Sequence, residues 1–294
     1  MQALTVRGLT KTIRKKVILK DVSFTIEQGE SVGLVGINGA GKSSVLKCMA
    51  GLWHYRGDIL FYGKPIKEQY AEFASKTGIL IEYPALFSGM TLRENIQYFS
   101  ALRGTECSEQ YEQTAKRLNL YEAVDKKIGT FSSGMKQKAC LLIATLHKPS
   151  VLLLDEPTSM LDPKSAAEIR AFIGQVRQRN TLTLLISSHN LAEIENLCDR
   201  VLMLESGRIV NDYVLRGNDT KKEYRFRFAT AQLAKSVFVK ASQYFNVTLE
   251  ADCVYLYGDA KAMKDFILSV DSDFIDLTVN GGLEKVFMEA AGEK

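Results

Sequence analysis

The hydrophobic pattern changes along the chain, and each pattern predicts a different kind of element. Residues 1–30 alternate apolar and polar positions, which is typical of antiparallel strands that bury one face. Three later segments are mostly apolar without alternation, as in parallel strands covered on both faces: Val32–Val35, Val151–Leu154 and Thr181–Ser187. The chain is therefore predicted to combine an N-terminal antiparallel region with a mostly parallel sheet.

Segments with helical spacing separate these predicted strands. Residues 84–148 are predominantly helical in pattern, and Thr91-Leu92-Arg93-Glu94 has the form of a capping box. Asp162 followed by Pro163 predicts the start of a helix, because Asp is favoured at the N-cap and Pro at the next position. Helices are predicted over residues 44–50, 163–179 and 190–198. Strands alternating with helices in this way favour an α/β fold.

The last quarter of the chain has a pattern of its own. A polar, turn-rich break at residues 217–219 predicts a boundary between a domain of residues 1–217 and one of residues 218–294. Beyond it, aromatic residues alternate with arginines over Tyr224–Phe228, as in a half-buried strand. Strands are also predicted over 245–250, 252–257 and 274–279, and helices over 259–269 and 283–291. The sequence therefore predicts a small α+β accessory domain.

Net charge, cysteine content and the length of apolar runs indicate the cellular compartment and the kind of partner to expect. The net charge of +4 is mild and no long basic tract is present, so nucleic acid is not an expected partner. The five cysteines are scattered, which favours a reducing compartment over a disulfide or zinc framework. No apolar run approaches the roughly 18 residues of a membrane span, and the N-terminus does not resemble a signal peptide. A cytoplasmic chain that forms no pore of its own is expected.

The most specific chemistry lies in residues 36–43, which match the phosphate-loop pattern G-x-x-x-x-G-K-[ST]. Glycines let successive backbone N–H groups point at one anion, and the following helix N-terminus adds partial positive charge. Lys42 is predicted to reach the β- and γ-phosphates, and the Ser43 hydroxyl to hold Mg²⁺. The candidate ATP-binding residues here are Gly36, Asn38, Gly39, Ala40, Gly41, Lys42, Ser43 and Ser44.

Two carboxylates end the apolar strand at Val151–Leu154. Asp155 is predicted to join the Mg²⁺ shell, and Glu156 to polarise the water that attacks the γ-phosphate. A buried strand with a solvated acidic end is the simpler interpretation of the same residues. The presence of a phosphate loop in the same chain favours the catalytic one.

Residues 131–137 resemble the signature motif of ABC-type ATPases, usually written L-S-G-G-Q. Ser132 and Gly134 match that pattern, whereas Ser133 and Met135 replace its first Gly and its Gln. The resemblance implies that these four residues cap ATP bound to an opposite subunit. It also implies that Ser159-Met160-Leu161-Asp162 forms the D-loop at the dimer interface, with helix capping as an equally weighted alternative for Asp162. His189 falls at the family's H-loop position, where a His contacts the γ-phosphate.

The family resemblance implies the whole architecture. The expected fold is a P-loop ABC ATPase core, in which a mostly parallel sheet is flanked by helices, with an antiparallel β region, a helical subdomain over about 84–148, and the α+β domain. ATP and Mg²⁺ are the expected cofactors.

Two positions depart from the family's usual pattern. Glu82 stands where most members have Gln, and with the following residues it resembles exporters for bacitracin resistance and lantibiotic self-protection. We expect Glu82 to coordinate Mg²⁺ and influence turnover, and Glu82→Gln to retain ATP binding with altered turnover or coupling. Ile13 stands where an aromatic ring usually stacks on adenine. Since Ile offers no π-face, we expect weak discrimination between ATP and GTP.

The resemblance implies a bacterial exporter subunit. Two ATP-Mg²⁺ are expected between two chains, in a homodimer or a heterodimer with a second ATPase subunit. That dimer would drive a polytopic membrane permease from the cytoplasmic face of the plasma membrane. The cargo would be an antimicrobial peptide, a peptide-like antibiotic or a lipid-linked compound. The alternatives are a soluble ABC ATPase of translation or DNA repair and, further behind, a P-loop kinase.

Overall fold

The structure, a computed structural model, describes residues 1–81, 86–104, 110–178, 182–215, 222–258, 263, 266 and 274–280. Its contacts divide the chain into two compact units, Met1–Val214 and Leu215–Lys294. The boundary predicted after residue 217 lies outside the described residues and stays a prediction.

The first unit begins with an antiparallel sheet, as the alternating pattern predicts. Its strands follow the order β2-β1-β4-β5. They are β1 (Gln2–Ile13), β2 (Lys16–Glu27), β4 (Arg56–Phe61) and β5 (Lys64–Pro65). Arg14 and Lys15 join β1 to β2 with positive φ angles, as a tight hairpin turn requires.

A six-stranded sheet forms the centre of this unit, in the order β10-β9-β3-β8-β7-β6. Its strands are β3 (Ser31–Val35), β6 (Thr77–Leu80), β7 (Val151–Asp155), β8 (Thr183–Ser187), β9 (Arg200–Glu205) and β10 (Arg208–Val214). All neighbours pair in parallel except β9 and β10, which form an antiparallel hairpin. Since β3, β8 and β7 are parallel neighbours, the residues that follow them emerge at one sheet edge.

Helices cover the sheet and form a separate helical region between β6 and β7. The helices of the first unit are α1 (Lys42–Met49), α2 (Tyr70–Lys76), α3 (Leu92–Leu102), α4 (Gln110–Arg117), α5 (Ser133–Thr145), α6 (Pro163–Arg177) and α7 (Leu191–Leu197). The predicted capping box is present, since Thr91 accepts a hydrogen bond from the Glu94 backbone and Glu94 reciprocates. Helix α1 begins at Lys42, two residues before the predicted start.

The second unit contains a four-stranded antiparallel sheet in the order β12-β13-β11-β14. Its described elements are β11 (Lys222–Phe228), α8 (Ala231–Ala241), β12 (Asn246–Glu250), β13 (Cys253–Gly258) and β14 (Phe274–Asn280). Phe226, Phe228 and Val237 are buried in a core of this unit's own residues. The helices predicted over 259–269 and 283–291 fall largely or wholly outside the described residues.

Candidate functional site

The phosphate-loop segment lies directly after β3 and continues into α1. Gly39 and Gly41 have φ angles of 84° and 113°, which glycine adopts without a Cβ penalty. The Lys42 side chain is only 6% exposed, and its ammonium group donates a 2.8 Å hydrogen bond to the Gly36 carbonyl. The Ala40 carbonyl accepts from the Gly207 backbone N–H at 3.0 Å. These contacts fold the loop back on itself and tie it to the turn between β9 and β10.

Glu156 occupies the turn that follows β7 and lies between two cationic or protonatable side chains. One of its carboxylate oxygens is 3.4 Å from Lys42 Nζ, and the other is 2.6 Å from His189 Nδ1. A carboxylate only accepts hydrogen bonds, so Nδ1 carries the hydrogen in this contact. The backbone of Glu156 is left-handed, with a φ of 46°. Three segments that are far apart in sequence therefore meet at this carboxylate.

The neighbouring Asp155 is fixed by the end of β8. The Ser187 hydroxyl donates a 2.6 Å hydrogen bond to Asp155 and accepts one of 3.0 Å from the Glu156 backbone N–H. Ser187 is fully buried and Asp155 nearly so. The orientation of the acidic pair is therefore determined by strand pairing between β7 and β8.

Two adjoining clefts contain most of the predicted site residues. The first is lined by Ile18, Asn38, Gly39, Gly41, Lys42, Ser43, Ser44, Glu156, Ser159, Met160 and His189. The second is lined by Ser43, Ser133, Gln137, Asp155, Glu156, Ser159, Met160 and Leu161. Ser43, Glu156, Ser159 and Met160 belong to both, so the clefts meet at the phosphate loop.

The signature-like segment forms the start of α5. Ser132 is the N-cap of this helix, and its hydroxyl accepts from the Met135 backbone N–H. Gly134 packs closely against α6, since a Cβ atom there would lie 2.5 Å from Ser165 Oγ. Ser133 lines the second cleft of its own chain. A contact of this segment with a second chain stays a prediction.

Two other predicted residues have different surroundings. Asp162 caps α6, accepting from the Ser165 backbone N–H at 2.9 Å, and its hydrogen bonds with Ser165 lower the pKa of its carboxyl. Ile13 is the last residue of β1 and half-buried, and among the described residues it is Ile18, not Ile13, that lines the first cleft. Glu82 lies outside the described residues, so its predicted role is unchanged.

The amino-acid sequence matches the family model described as ABC transporter over residues 19–159. An uncharacterized ABC transporter ATP-binding protein of Bacillus subtilis, YhcH, is 32% identical over 237 residues, which are 80% of this chain and 78% of that protein. The chain belongs to the ABC transporter ATP-binding family. It is therefore an ATPase, as the motifs predict.

Other relatives agree with this assignment. The bacitracin transport ATP-binding protein BcrA of Bacillus licheniformis is 29% identical over 282 residues, covering 96% of this chain and 88% of that protein. A solved ATP binding subunit of an ABC transporter has a TM-score of 0.65 at 29% identity, covering 73% of this chain and 95% of that structure. The predicted family and the α/β ABC ATPase fold are thus confirmed. No helix in the described part of the chain is long and apolar enough to cross a membrane.

The chemistry of the clefts suits the ATP and Mg²⁺ that the family binds. Mg²⁺ prefers hard oxygen ligands and a small number of protein groups. The Ser43 hydroxyl and the Asp155 carboxylate supply such oxygens, and both line the second cleft. The glycine backbone and the buried Lys42 supply donors for an anionic phosphate chain. The residues present therefore fit a nucleoside triphosphate with its metal ion.

Among the described residues that line the two clefts of this ABC ATPase, Ile18 is the one that no sequence motif predicted. Ser159 and Met160 come from the D-loop segment and line both clefts. Gln137, at the end of the signature-like segment, lines the second cleft and donates a 3.1 Å hydrogen bond to the Pro157 carbonyl. Ile18 lies on β2, and no spacing pattern around it indicates phosphate chemistry.

Proposed function

We propose that Glu156 is the general base of ATP hydrolysis in this subunit, with Lys42 and His189 on either side of its carboxylate. The observation that carries the proposal is the placement of Glu156 between Lys42 at 3.4 Å and His189 at 2.6 Å. Ser43 and Asp155 would hold Mg²⁺, and the phosphate-loop N–H groups would hold the phosphates. When bound, ATP would supply the γ-phosphoryl group, and Mg²⁺ would neutralise the negative charge that develops on that group. Glu156 then orients and deprotonates the attacking water, while His189 fixes the carboxylate.

We further propose that the working unit is a dimer in which the Ser132–Met135 segment of one chain approaches the phosphate loop of the other. The second cleft supports this, because it places Ser133 and the phosphate loop at one surface. Glu156→Gln keeps the size of the side chain but removes the base, so it should bind ATP without hydrolysing it. Gel filtration with ATP and Mg²⁺ is expected to show this variant as a dimer.

The matched control combines Glu156→Gln with Lys42→Ala, which removes the main phosphate contact. This double variant should elute as a monomer under the same conditions. A Glu156→Gln chain that remains monomeric with ATP and Mg²⁺ would contradict the dimer, and undiminished hydrolysis by this variant would contradict Glu156 as the base.

An aromatic surface in the helical region supports a membrane subunit as the partner. Phe87 and Tyr98 are in edge-to-face contact at 4.8 Å, and Leu102 lies on the same helix as Tyr98. These three side chains are 42%, 41% and 64% exposed. The adjoining groove is lined by Leu52, Ile79, Leu80, Ile81, Leu86, Phe99, Arg103, Cys140, Ile143 and Ala144. Exposed aromatic side chains beside an apolar groove are typical of protein interfaces.

We propose that a cytoplasmic helix of a polytopic permease docks in this groove and that the complex works as an exporter at the plasma membrane. The bacitracin transport relatives favour an antimicrobial peptide, a peptide-like antibiotic or a lipid-linked compound as cargo. The test is co-purification of a membrane protein from native membranes with the Glu156→Gln chain and ATP. Recovery of ribosomes or nucleic acid would instead indicate a soluble ABC ATPase of translation or DNA repair.

A variant of Leu102, on the exposed surface beside the groove, makes this test specific to this face of the molecule. Leu102→Asp should lose the co-purified membrane protein while the purified chain keeps its ATPase activity. Val239→Asp is the control, since Val239 is 56% exposed on α8 in the second unit. Equal recovery with both variants would contradict docking at the groove.

A further inference from the structure

A buried carboxylate outside the assigned site connects two of its loops. Glu193, in the first turn of α7, is 2% exposed. The Thr158 hydroxyl donates to its Oε1 at 2.9 Å, and the Ser188 hydroxyl donates to its Oε2 at 2.7 Å. The Glu193 backbone N–H donates to Asn190 Oδ1 at 3.2 Å, which caps the same helix.

The two hydroxyl donors come from the segments that carry the proposed catalytic pair. Thr158 lies two residues after Glu156, and Ser188 is the residue before His189. Burial of a carboxylate is costly unless hydrogen bonds compensate for lost water, so Glu193 favours the arrangement in which both hydroxyls reach it. The carboxylate therefore holds the segment after β7 against the loop after β8.

Ser187 makes a similar tie, but only at the strand ends. It fixes the Asp155 carboxylate and the Glu156 backbone N–H, whereas the His189 side chain is beyond the strand and 57% exposed. The 2.6 Å contact between Glu156 and His189 thus needs a second constraint on the two loops. Glu193 is placed to supply it.

We propose that Glu193 is a positioning residue for ATP hydrolysis, acting through Thr158 and Ser188 to hold Glu156 and His189 in register. The inference rests on the proposed roles of Glu156 and His189. Small displacements of catalytic groups reduce turnover strongly. Among the described residues, no hydrogen bond or ion pair joins Glu193 to the phosphate loop, where ATP would bind. Substitution of Glu193 should therefore lower kcat and leave the affinity for nucleotide nearly unchanged.

The first measurement compares Glu193→Ala with Glu193→Gln. The alanine variant leaves both hydroxyls without their acceptor, and we expect kcat to fall by about tenfold or more while the Kd of ATP changes less than about twofold. The glutamine amide can accept from one hydroxyl and donate to the other. Glu193→Gln is therefore expected to recover most of the lost kcat.

A double-mutant cycle tests the route of the effect. Thr158→Val removes one of the two ties, so it should lower kcat in the wild-type background. In the Glu193→Ala background it should change kcat little, because the tie is already lost. Effects that multiply would overturn the proposed route. If Glu193→Ala does not fold, near-normal kcat in Glu193→Gln and reduced kcat in Thr158→Val are the expected results, and the reverse would overturn the proposal.

Asp199→Ala is the control for a purely structural effect. Asp199 accepts from the Ser31 backbone N–H at 3.0 Å and pairs with Arg177, at the end of β3 opposite the phosphate loop. Its loss should reduce stability without a selective loss of kcat. A kcat of Glu193→Ala no lower than that of Asp199→Ala would overturn the proposal. Glu156→Gln, measured in parallel, distinguishes a failure of the Glu193 proposal from a failure of the proposed function. Undiminished hydrolysis by Glu156→Gln would overturn the assignment of Glu156 as the base.

Discussion

At the scale of single residues, the site depends on backbone conformations that few side chains adopt. Glu156 has a φ of 46°, a left-handed conformation that costs a non-glycine residue on the order of 1 kcal/mol or more. The turn directs its carboxylate to Lys42 and His189 immediately after a strand. Strain at this position is thus associated with the contact that the proposed mechanism needs.

Gly41 tests how far the phosphate loop requires glycine. Its φ is 113°, and a Cβ atom would lie 2.8 Å from Leu19 Cδ2. Gly41→Ala should lower the free energy of unfolding by about 1–3 kcal/mol and weaken ATP binding, because the loop must move. Urea unfolding and ATP titration measure the two effects. Gly63→Ala is the control, since Gly63 has a φ of 80° with no atom within 4 Å. It should lose stability but keep ATP affinity.

At the scale of elements, sequence patterns predicted the parts of the site better than their arrangement. The phosphate loop could be recognised because local spacing determines it, and so could the apolar strand before Asp155. The place of Ile18 could not, because it depends on how β2 packs against Gly41. The hydroxyl hydrogen bonds from Ser187 to Asp155 and from Thr158 to Glu193 also depend on contacts between segments more than 30 residues apart. Contacts of this kind leave no periodic trace in a single sequence.

Asp162 can be assigned to helix capping or to a dimer contact by comparing two substitutions. Asp162→Ala removes the cap of α6 and should cost about 1 kcal/mol in the free energy of unfolding. Asp162→Asn keeps a good capping side chain, so its stability should be nearly that of the wild type. Chemical unfolding measures both. If Asp162→Asn keeps its stability but loses ATP-dependent dimerisation, the negative charge of Asp162 also acts between chains.

The contact between the end of α3 and the end of α5 predicts acid sensitivity. Burial, and then the neighbouring Arg103 guanidinium, lower the pKa of His147 to about 4. The unfolded chain binds this proton near the ordinary value of 6.5, so between pH 6.5 and 4 the unfolded state holds more protons. Stability from this histidine is complete above pH 6.5 and is lost as the pH falls towards 4.

His147→Gln should reduce the loss of unfolding free energy between about pH 7 and about pH 5, because glutamine does not titrate. Urea unfolding at the two pH values gives the comparison. His54→Gln, at an exposed histidine, is the control. An unchanged pH dependence in His147→Gln would show that other groups cause the acid sensitivity.

At the scale of the whole molecule, the residues of the candidate site belong to the first unit. Every described site residue lies within Met1–Val214, while the second unit has its own core around Phe226 and Phe228. A chain that ends at Val214 should therefore fold and bind ATP with an affinity within about twofold of the full chain, since compact units with their own cores fold separately. Calorimetric titration measures this. A truncated chain that does not bind ATP would contradict two independently folding domains.

The strand order also has a consequence for the synthesis of the chain. Strand β3 is made early, yet its sheet neighbours β8 and β9 lie about 150 and about 170 residues further along. A newly made phosphate loop therefore has no completed sheet beside it until residues beyond Ser187 have been synthesised. During that interval the edges of an apolar strand stay unpaired, which exposes the nascent chain to aggregation and to chaperones. Nucleotide binding can stabilise the protein against this aggregation only after β8 has paired with β3 and β7.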